Sequence, residues 1–189
     1  MKIEVLGSGG AVTTPKPFCC CDSCTQARDN GVPFTRMGPS VFIHGPNILI
    51  DTPEEIATQL DRSQALEIAA CLYSHWHPDH TAGKRLFEMN IDWVGVPPKH
   101  SCTKVILTET IASTFESYMA ILEHLRFFES RGIVKLMVIG DNEDILINGY
   151  KITPIQLSMS YVFGYQIQNE QQRILVMMDE LKNWNPSSE

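Results

Sequence analysis

The chain has 189 residues, 43% of them hydrophobic, with a formal net charge of −7 and a pI near 5.3. That length and apolar content suffice for one sizeable core, so a single domain over 1–189 is expected. The acidic balance argues against a broad basic surface for nucleic acid and leaves only a local groove open; no apolar run reaches the roughly 18–20 residues that span a bilayer, so no membrane partner is expected and the expected address is the cytoplasm.

Lys2 to Leu6 alternates as a strand and runs into Gly7-Ser8-Gly9-Gly10, which lacks the spacing of a dinucleotide fingerprint and is read as a tight turn. Val41 to His44 and Asn47 to Asp51 predict a hairpin around Gly45-Pro46. Thr52-Pro53-Glu54-Glu55 then opens a helix expected to reach Leu66, with a hydroxyl cap, proline at the first position and acids facing the dipole. Ala69 to Ser74 is the next strand, Gly83 to Met89 a short helix, and Trp93 to Pro98 a strand stopped by two prolines. Glu109 to Ser130 is the longest helical stretch, its stripe of Ile111, Phe115, Tyr118, Met119, Leu122 and Leu125 spaced by threes and fours. Such a stripe is usually core packing, and it also suits a substrate mouth or a dimer face. The last third predicts strands at 133–139, 144–147, 150–157, 161–168 and 173–178, with Asn148-Gly149 as a two-residue hairpin turn.

The chemistry concentrates in His75-Trp76-His77-Pro78-Asp79-His80, directly after an apolar strand. Side chains two apart point the same way, so His75 and His77 can converge on one ion while Asp79 and His80 swing toward a second, about 3.5–4 Å away as in paired catalytic metals. Imidazole suits zinc, iron, nickel or copper, and the carboxylate widens the choice toward manganese. The bland alternatives are a polar turn and a histidine tract without catalytic role. A second cluster, Cys19, Cys21 and Cys24 with Cys20 between, places three thiols where a tetrahedral zinc needs them, although a closed structural site requires a fourth ligand. A disulfide or a reactive thiol patch is the competing reading.

His75-x-His77-x-Asp79-His80 followed by Thr81-Ala82-Gly83 resembles the signature loop of the metallo-β-lactamase superfamily. Ile48-Leu49-Ile50-Asp51-Thr52 resembles the family's earlier strand ending in a buttressing aspartate, Val5-Leu6-Gly7-Ser8-Gly9-Gly10 its N-terminal strand and turn, and Arg173 to Asp179 the strand whose last aspartate bridges two metals. The resemblance implies an α/β fold, the αββα metallo-β-lactamase sandwich, with two divalent ions, zinc or manganese. His75 and His77 would serve the first ion, Asp79 and His80 the second, and Asp179 both. Asp79 would also orient the attacking water as the catalytic residue, and Asp51 would act from behind the ligands.

The cysteine insert at about 18–30 resembles the zinc loop of the superfamily's phosphodiesterase branch, which implies an additional structural zinc on Cys19, Cys21 and Cys24. A metal-dependent hydrolase acting on a small-molecule phosphodiester is therefore the leading expectation. The alternatives are a metal-binding relative without turnover and a lactonase, thioesterase or oxygen-reducing protein on the same fold. The family usually supplies a further histidine after the strand ending at Leu157, where this chain reads Leu157-Ser158-Met159-Ser160, and others later, whereas no histidine follows His124. Family members continue for several elements beyond the bridging aspartate, so the expectation is a C-terminally truncated domain whose exposed sheet edge favours a homo-oligomer.

Overall fold

A computed structural model describes residues 1–90 and 102–185. The expected strand at Trp93 to Pro98 lies outside the described residues. The elements are β1 (Lys2–Gly7), α1 (Asp22–Asn30), β2 (Ser40–His44), β3 (Ile48–Ile50), α2 (Ile56–Asp61), β4 (Ala70–Leu72), α3 (Pro78–Thr81), a 3-10 helix (Ala82–Asn90), β5 (Thr103–Thr108), α4 (Glu109–Ser117), α5 (Ile121–Ser130), β6 (Val134–Ile139), β7 (Ile145–Ile147), β8 (Tyr150–Gln156), β9 (Phe163–Gln168) and β10 (Arg173–Val176).

Two sheets organise the chain. The first runs β1-β2-β3-β4-β5-β6, antiparallel through β3 and parallel from β3 to β6. Its central strands read as uninterrupted apolar runs because both faces are covered, and Ile48, Leu49, Ile50, Cys71 and Leu72 are all fully buried. The second sheet, β10-β9-β8-β7, is antiparallel. It alternates as a sheet with one wet face should, with Ile152, Phe163, Tyr165, Ile167 and Val176 buried while Lys151, Arg173 and Leu175 stay exposed. Helices α4 and α5 pack on β5 and β6, and α2 packs beside β1.

Two expected helices differ. The segment 109–130 is two helices broken at Tyr118, Met119 and Ala120, the last two with φ of 58° and 50°. An unbroken helix of that length would extend about 33 Å and carry its second half off the sheet. The break turns α5 back, so that Ile111 and Phe115 of α4 and Leu122, Leu125 and Phe128 of α5 all reach one core. The helix expected over Glu54 to Leu66, capped by Thr52, forms only over Ile56–Asp61, with Glu55 in the cap position. Thr52 is otherwise engaged: its hydroxyl meets the Tyr73 hydroxyl at 2.9 Å and its amide donates to the His80 carbonyl at 2.7 Å. Ser63, just past the helix, instead donates its hydroxyl to Glu4.

Register then places the chemistry. β3 and β4 are parallel neighbours with Ile50 opposite Leu72, so Asp51 and the segment from Tyr73 to His75 leave the sheet side by side at its carboxyl end, where open α/β sheets form their crevices.

Candidate metal centre

Asp51 is fully buried with a φ of 62°. Its backbone is held from both sides, the amide donating to the Leu72 carbonyl at 3.0 Å and the carbonyl accepting from the Ser40 hydroxyl at 2.9 Å. The carboxylate therefore faces the neighbouring loop, where it accepts from the Ser74 amide at 2.7 Å and the Ser74 hydroxyl at 2.6 Å. His80 Nδ1 lies 2.7 Å from Asp51 Oδ2. A carboxylate can only accept, so Nδ1 carries the proton and Nε2 presents its lone pair. The Ser74 hydroxyl, having given its hydrogen to Asp51, is free to accept from His75 Nδ1 at 3.0 Å, which aims His75 Nε2 the same way.

The two Nε2 atoms are buried and have no hydrogen-bond partner among the described residues. Buried polar atoms are rarely left so. Together with a carboxylate oxygen of Asp179, in the segment after β10, they form a group whose ligand atoms lie within 4.8 Å of one another. His80 Nε2 is also 3.5 Å from Asp79 Oδ2 and 3.8 Å from Asp179 Oδ2. His77, half-buried, stands at the rim with its ring centroid 4.4 Å from that of His75. Of the five residues expected to bind metal, the structure groups His75, His80 and Asp179, sets Asp79 beside His80 and leaves His77 at the rim. The tightest trio, His75, His80 and Asp179, crosses the division between two ions that the resemblance implies.

The electrostatics suit a cation. Burial, reinforced by the neighbouring His80 and His77, holds His75 down to about 2, so its ring is neutral and free to ligate. Burial also opposes charge on His80, but Asp51, by charge and hydrogen bond, outweighs it and raises the imidazole, with Asp79 and Asp179 adding to the effect. Two inward lone pairs and two carboxylates are a donor set for a divalent ion of zinc or manganese type.

Local structure keeps the loop in place. Pro78 opens α3 at its first turn, and the Thr81 hydroxyl donates back to the Trp76 and His77 carbonyls. Gly83 ends the loop against Pro53, where a Cβ would sit 1.9 Å from the Pro53 carbonyl oxygen. The second sheet braces the other side: the Tyr165 hydroxyl donates to the Tyr73 carbonyl at 2.6 Å and the Phe163 amide to the Ser74 carbonyl at 2.9 Å.

Sequence reasoning missed Ser74, whose hydroxyl joins Asp51 to both inner histidines; its position directly before His75 was the only signal. It also missed the aromatic rim. Trp76 stacks on Tyr118 at 4.3 Å and meets His77 edge-on at 4.6 Å, while Tyr161 stands 6.0 Å from His77. Tyr118 reaches this rim because the break between α4 and α5 exposes it, which a continuous stripe does not foretell.

The thiols of Cys19, Cys21 and Cys24 also converge within 4.8 Å, with Cys19 and Cys21 sulfurs 3.4 Å apart. All six cysteines are free in this structure. Cys24 is buried because α1 starts at Asp22 and carries it inward. Arg28 ties the loop down by donating to the Cys19 carbonyl at 2.6 Å and the Lys16 carbonyl at 2.9 Å. Hydrogen bonds from the Cys21 backbone, then from the Cys21 and Cys24 thiols, lower Cys19 toward thiolate. The group contains three ligands among the described residues.

Two surface cavities, of about 400 and 430 Å³, lie elsewhere, and neither is lined by a histidine-cluster residue. Among the described residues no helix is long and apolar enough to cross a membrane.

No protein-family model and no curated protein matches the chain. Solved structures do. Zn(2+)-bound PqqB from Methylobacterium extorquens superposes with a TM-score of 0.71 at 17% identity, over 92% of this chain and 63% of its own. A diphosphatase from the PhnP family gives 0.65 at 25% identity, over 87% and 61%. The metallo-beta-lactamase fold protein YhfI from Bacillus subtilis gives 0.61 at 12% identity, over 92% and 60%. The chain spans about three fifths of the length of these neighbours.

Proposed function

We propose that this chain, which has the fold of the metallo-β-lactamase superfamily, is a metal-dependent hydrolase whose substrate is a phosphodiester. The observation that carries the reading is the pair of buried, unpartnered Nε2 atoms of His75 and His80, oriented from behind by Asp51 and Ser74 and facing Asp179. Divalent ions held by these residues supply Lewis acidity toward anionic substrate oxygens and an activated water. The chain's own groups do the rest. Asp79, on the first turn of α3 with Oδ2 3.5 Å from His80 Nε2, would orient the attacking water. His75 and His80 stay in the tautomer that leaves Nε2 free. Trp76, Tyr118 and Tyr161 narrow the approach from solvent.

A phosphodiester fits because its anionic oxygens neutralise cationic charge, and the similarity to a diphosphatase supports phosphorus chemistry. Zinc and manganese both suit the donor set, and a structural zinc on Cys19, Cys21 and Cys24 is part of the same proposal, as is a cytoplasmic location. Self-association is included on the strength of Leu146 and Leu175, exposed on the second sheet; sedimentation equilibrium of the purified chain tests it. The test of the activity is metal content per chain by elemental analysis, with hydrolysis of bis(p-nitrophenyl) phosphate under added zinc or manganese. Turnover in the parent and its loss in both His77→Ala and Asp79→Ala is the expected result. A second reading, metal binding without turnover, is favoured by the histidine-free segment Leu157-Ser158-Met159-Ser160. Stoichiometric metal with no hydrolysis of phosphodiester, lactone or thioester would establish it.

A further inference from the structure

The cavity of about 400 Å³ lies beside the edge strand β1, and Arg36, Arg62, Ser8 and Gln59 share its lining with Val5 and Val32. Arg36 Nη1 donates to the Ser8 hydroxyl at 2.9 Å. Arg62 is steadied by donating from Nε to the Thr58 carbonyl at 3.2 Å and by contact of Nη2 with Met37 Sδ at 3.1 Å. Each guanidinium has five N–H donors, so both retain donors for a ligand. Neither has a carboxylate partner among the described residues. Glu4 also lines the cavity, but its Oε2 is already shared by His44 at 2.7 Å and Ser63 at 2.9 Å.

Gln59, which shares the lining, is held in place. It is 1% exposed, its Nε2 donates to the Gly38 carbonyl at 2.8 Å, and its Oε1 is buried without a partner among the described residues. Reversing the amide would set oxygen against oxygen, so the acceptor is held as it stands. The wall is completed by Val5 and Val32, 62% and 59% exposed. Two fixed guanidiniums and an apolar wall describe a ligand with an anionic head and an apolar body. The Glu4 carboxylate leaves this lining near +1, so charge alone does not choose the anion; a phosphomonoester fits because its three oxygens can accept from both guanidinium forks at once. The volume lies within the range of about 300–1,000 Å³ usual for small-molecule sites.

We propose that this cavity binds a small organic phosphate, separate from the candidate metal centre, with its phosphate on Arg36 and Arg62 and its apolar body on Val5 and Val32. Calorimetric titration of the chain with phenyl phosphate tests it. Saturable one-site binding is expected, unchanged in His75→Ala and weakened about tenfold or more in Arg36→Ala and in Arg62→Ala. Both arginines are exposed, so the variants should keep the parent's circular dichroism and melting temperature; Arg36→Lys should retain part of the affinity. Absence of saturable binding overturns the proposal, as does binding equal in all arginine variants. Binding lost only in His75→Ala overturns it too, by assigning the phosphate to the metal centre.

Discussion

Asp51 illustrates how much one residue can arrange at a distance from the reacting atoms. Its carboxylate organises the Ser74 amide, the Ser74 hydroxyl and His80 Nδ1 within 2.6–2.7 Å, and through Ser74 it reaches His75. Replacing it with asparagine puts a donor where only acceptors are wanted and frees His80 to take the other tautomer. Asp51→Asn should therefore bind zinc about 10–100-fold more weakly than the parent, read by competition with a chromophoric chelator. Unchanged affinity would remove Asp51 from the site. The cluster was legible in the sequence because six consecutive positions carried its chemistry and a strand aimed them. Ser74 was not, since a serine beside a histidine is common and its role depends on Asp51 arriving from 23 positions away.

At the scale of elements, α4 shows how a neighbouring turn completes a helix end. Thr108 accepts from the Ile111 amide at 3.3 Å, and Asp141, just after β6, accepts from the Thr110 amide at 3.0 Å and the Thr110 hydroxyl at 2.6 Å. Two of the helix's first amides, unpaired within any helix, are thereby satisfied. Burial would raise the Asp141 carboxyl, but the Thr110 hydrogen bonds outweigh it and hold it below the usual range. A depressed folded-state value stabilises the fold above the unfolded value and is lost as pH falls through the folded one. Asp141→Ala should cost about 1 kcal/mol at neutral pH, and the gap from the parent should close below about pH 4, measured by urea unfolding at each pH. The break between α4 and α5 offers a test of opposite sign. Ala120 sits at φ 50° and ψ 33°, a conformation costing an alanine about 1–2 kcal/mol that glycine adopts freely. Ala120→Gly should therefore stabilise by about 0.5–1 kcal/mol; a fall in the urea midpoint would contradict it. The break escaped the sequence pattern because Ile111 to Leu125 keeps helical spacing across it. Nothing at Tyr118-Met119-Ala120 is a glycine or proline to mark the turn.

For the whole molecule, the metal centre draws on both sheets. β3 and β4 deliver Asp51 and the histidine loop, β9 braces the loop's backbone, and the segment after β10 brings Asp179. An ion held there ties together parts of the chain that separate on unfolding, so binding must stabilise the fold by mass action. Zinc at about 100 times its dissociation constant should add about 2.7 kcal/mol, seen as a raised melting temperature that a chelator reverses. His75→Ala combined with His80→Ala should abolish the part of the shift that arises at this centre, whereas Cys24→Ser should remove only the part owed to the cysteine loop. A shift unaffected by either change would place the zinc elsewhere.

The sequence alone determined where the candidate metal ligands cluster, the alternation of strands and the gathering of three thiols, because each is written in neighbouring residues whose spacing follows from backbone geometry. It also pointed to the sandwich that the comparisons bear out. Only the tertiary structure decided which histidine nitrogens face inward, that His75 groups with His80 and Asp179, that Thr52 serves the loop rather than a helix cap, and that the long stripe folds back on itself. Those outcomes depend on contacts between residues far apart in the chain, and a hydrogen bond or a packed face exists only once both partners have been brought together.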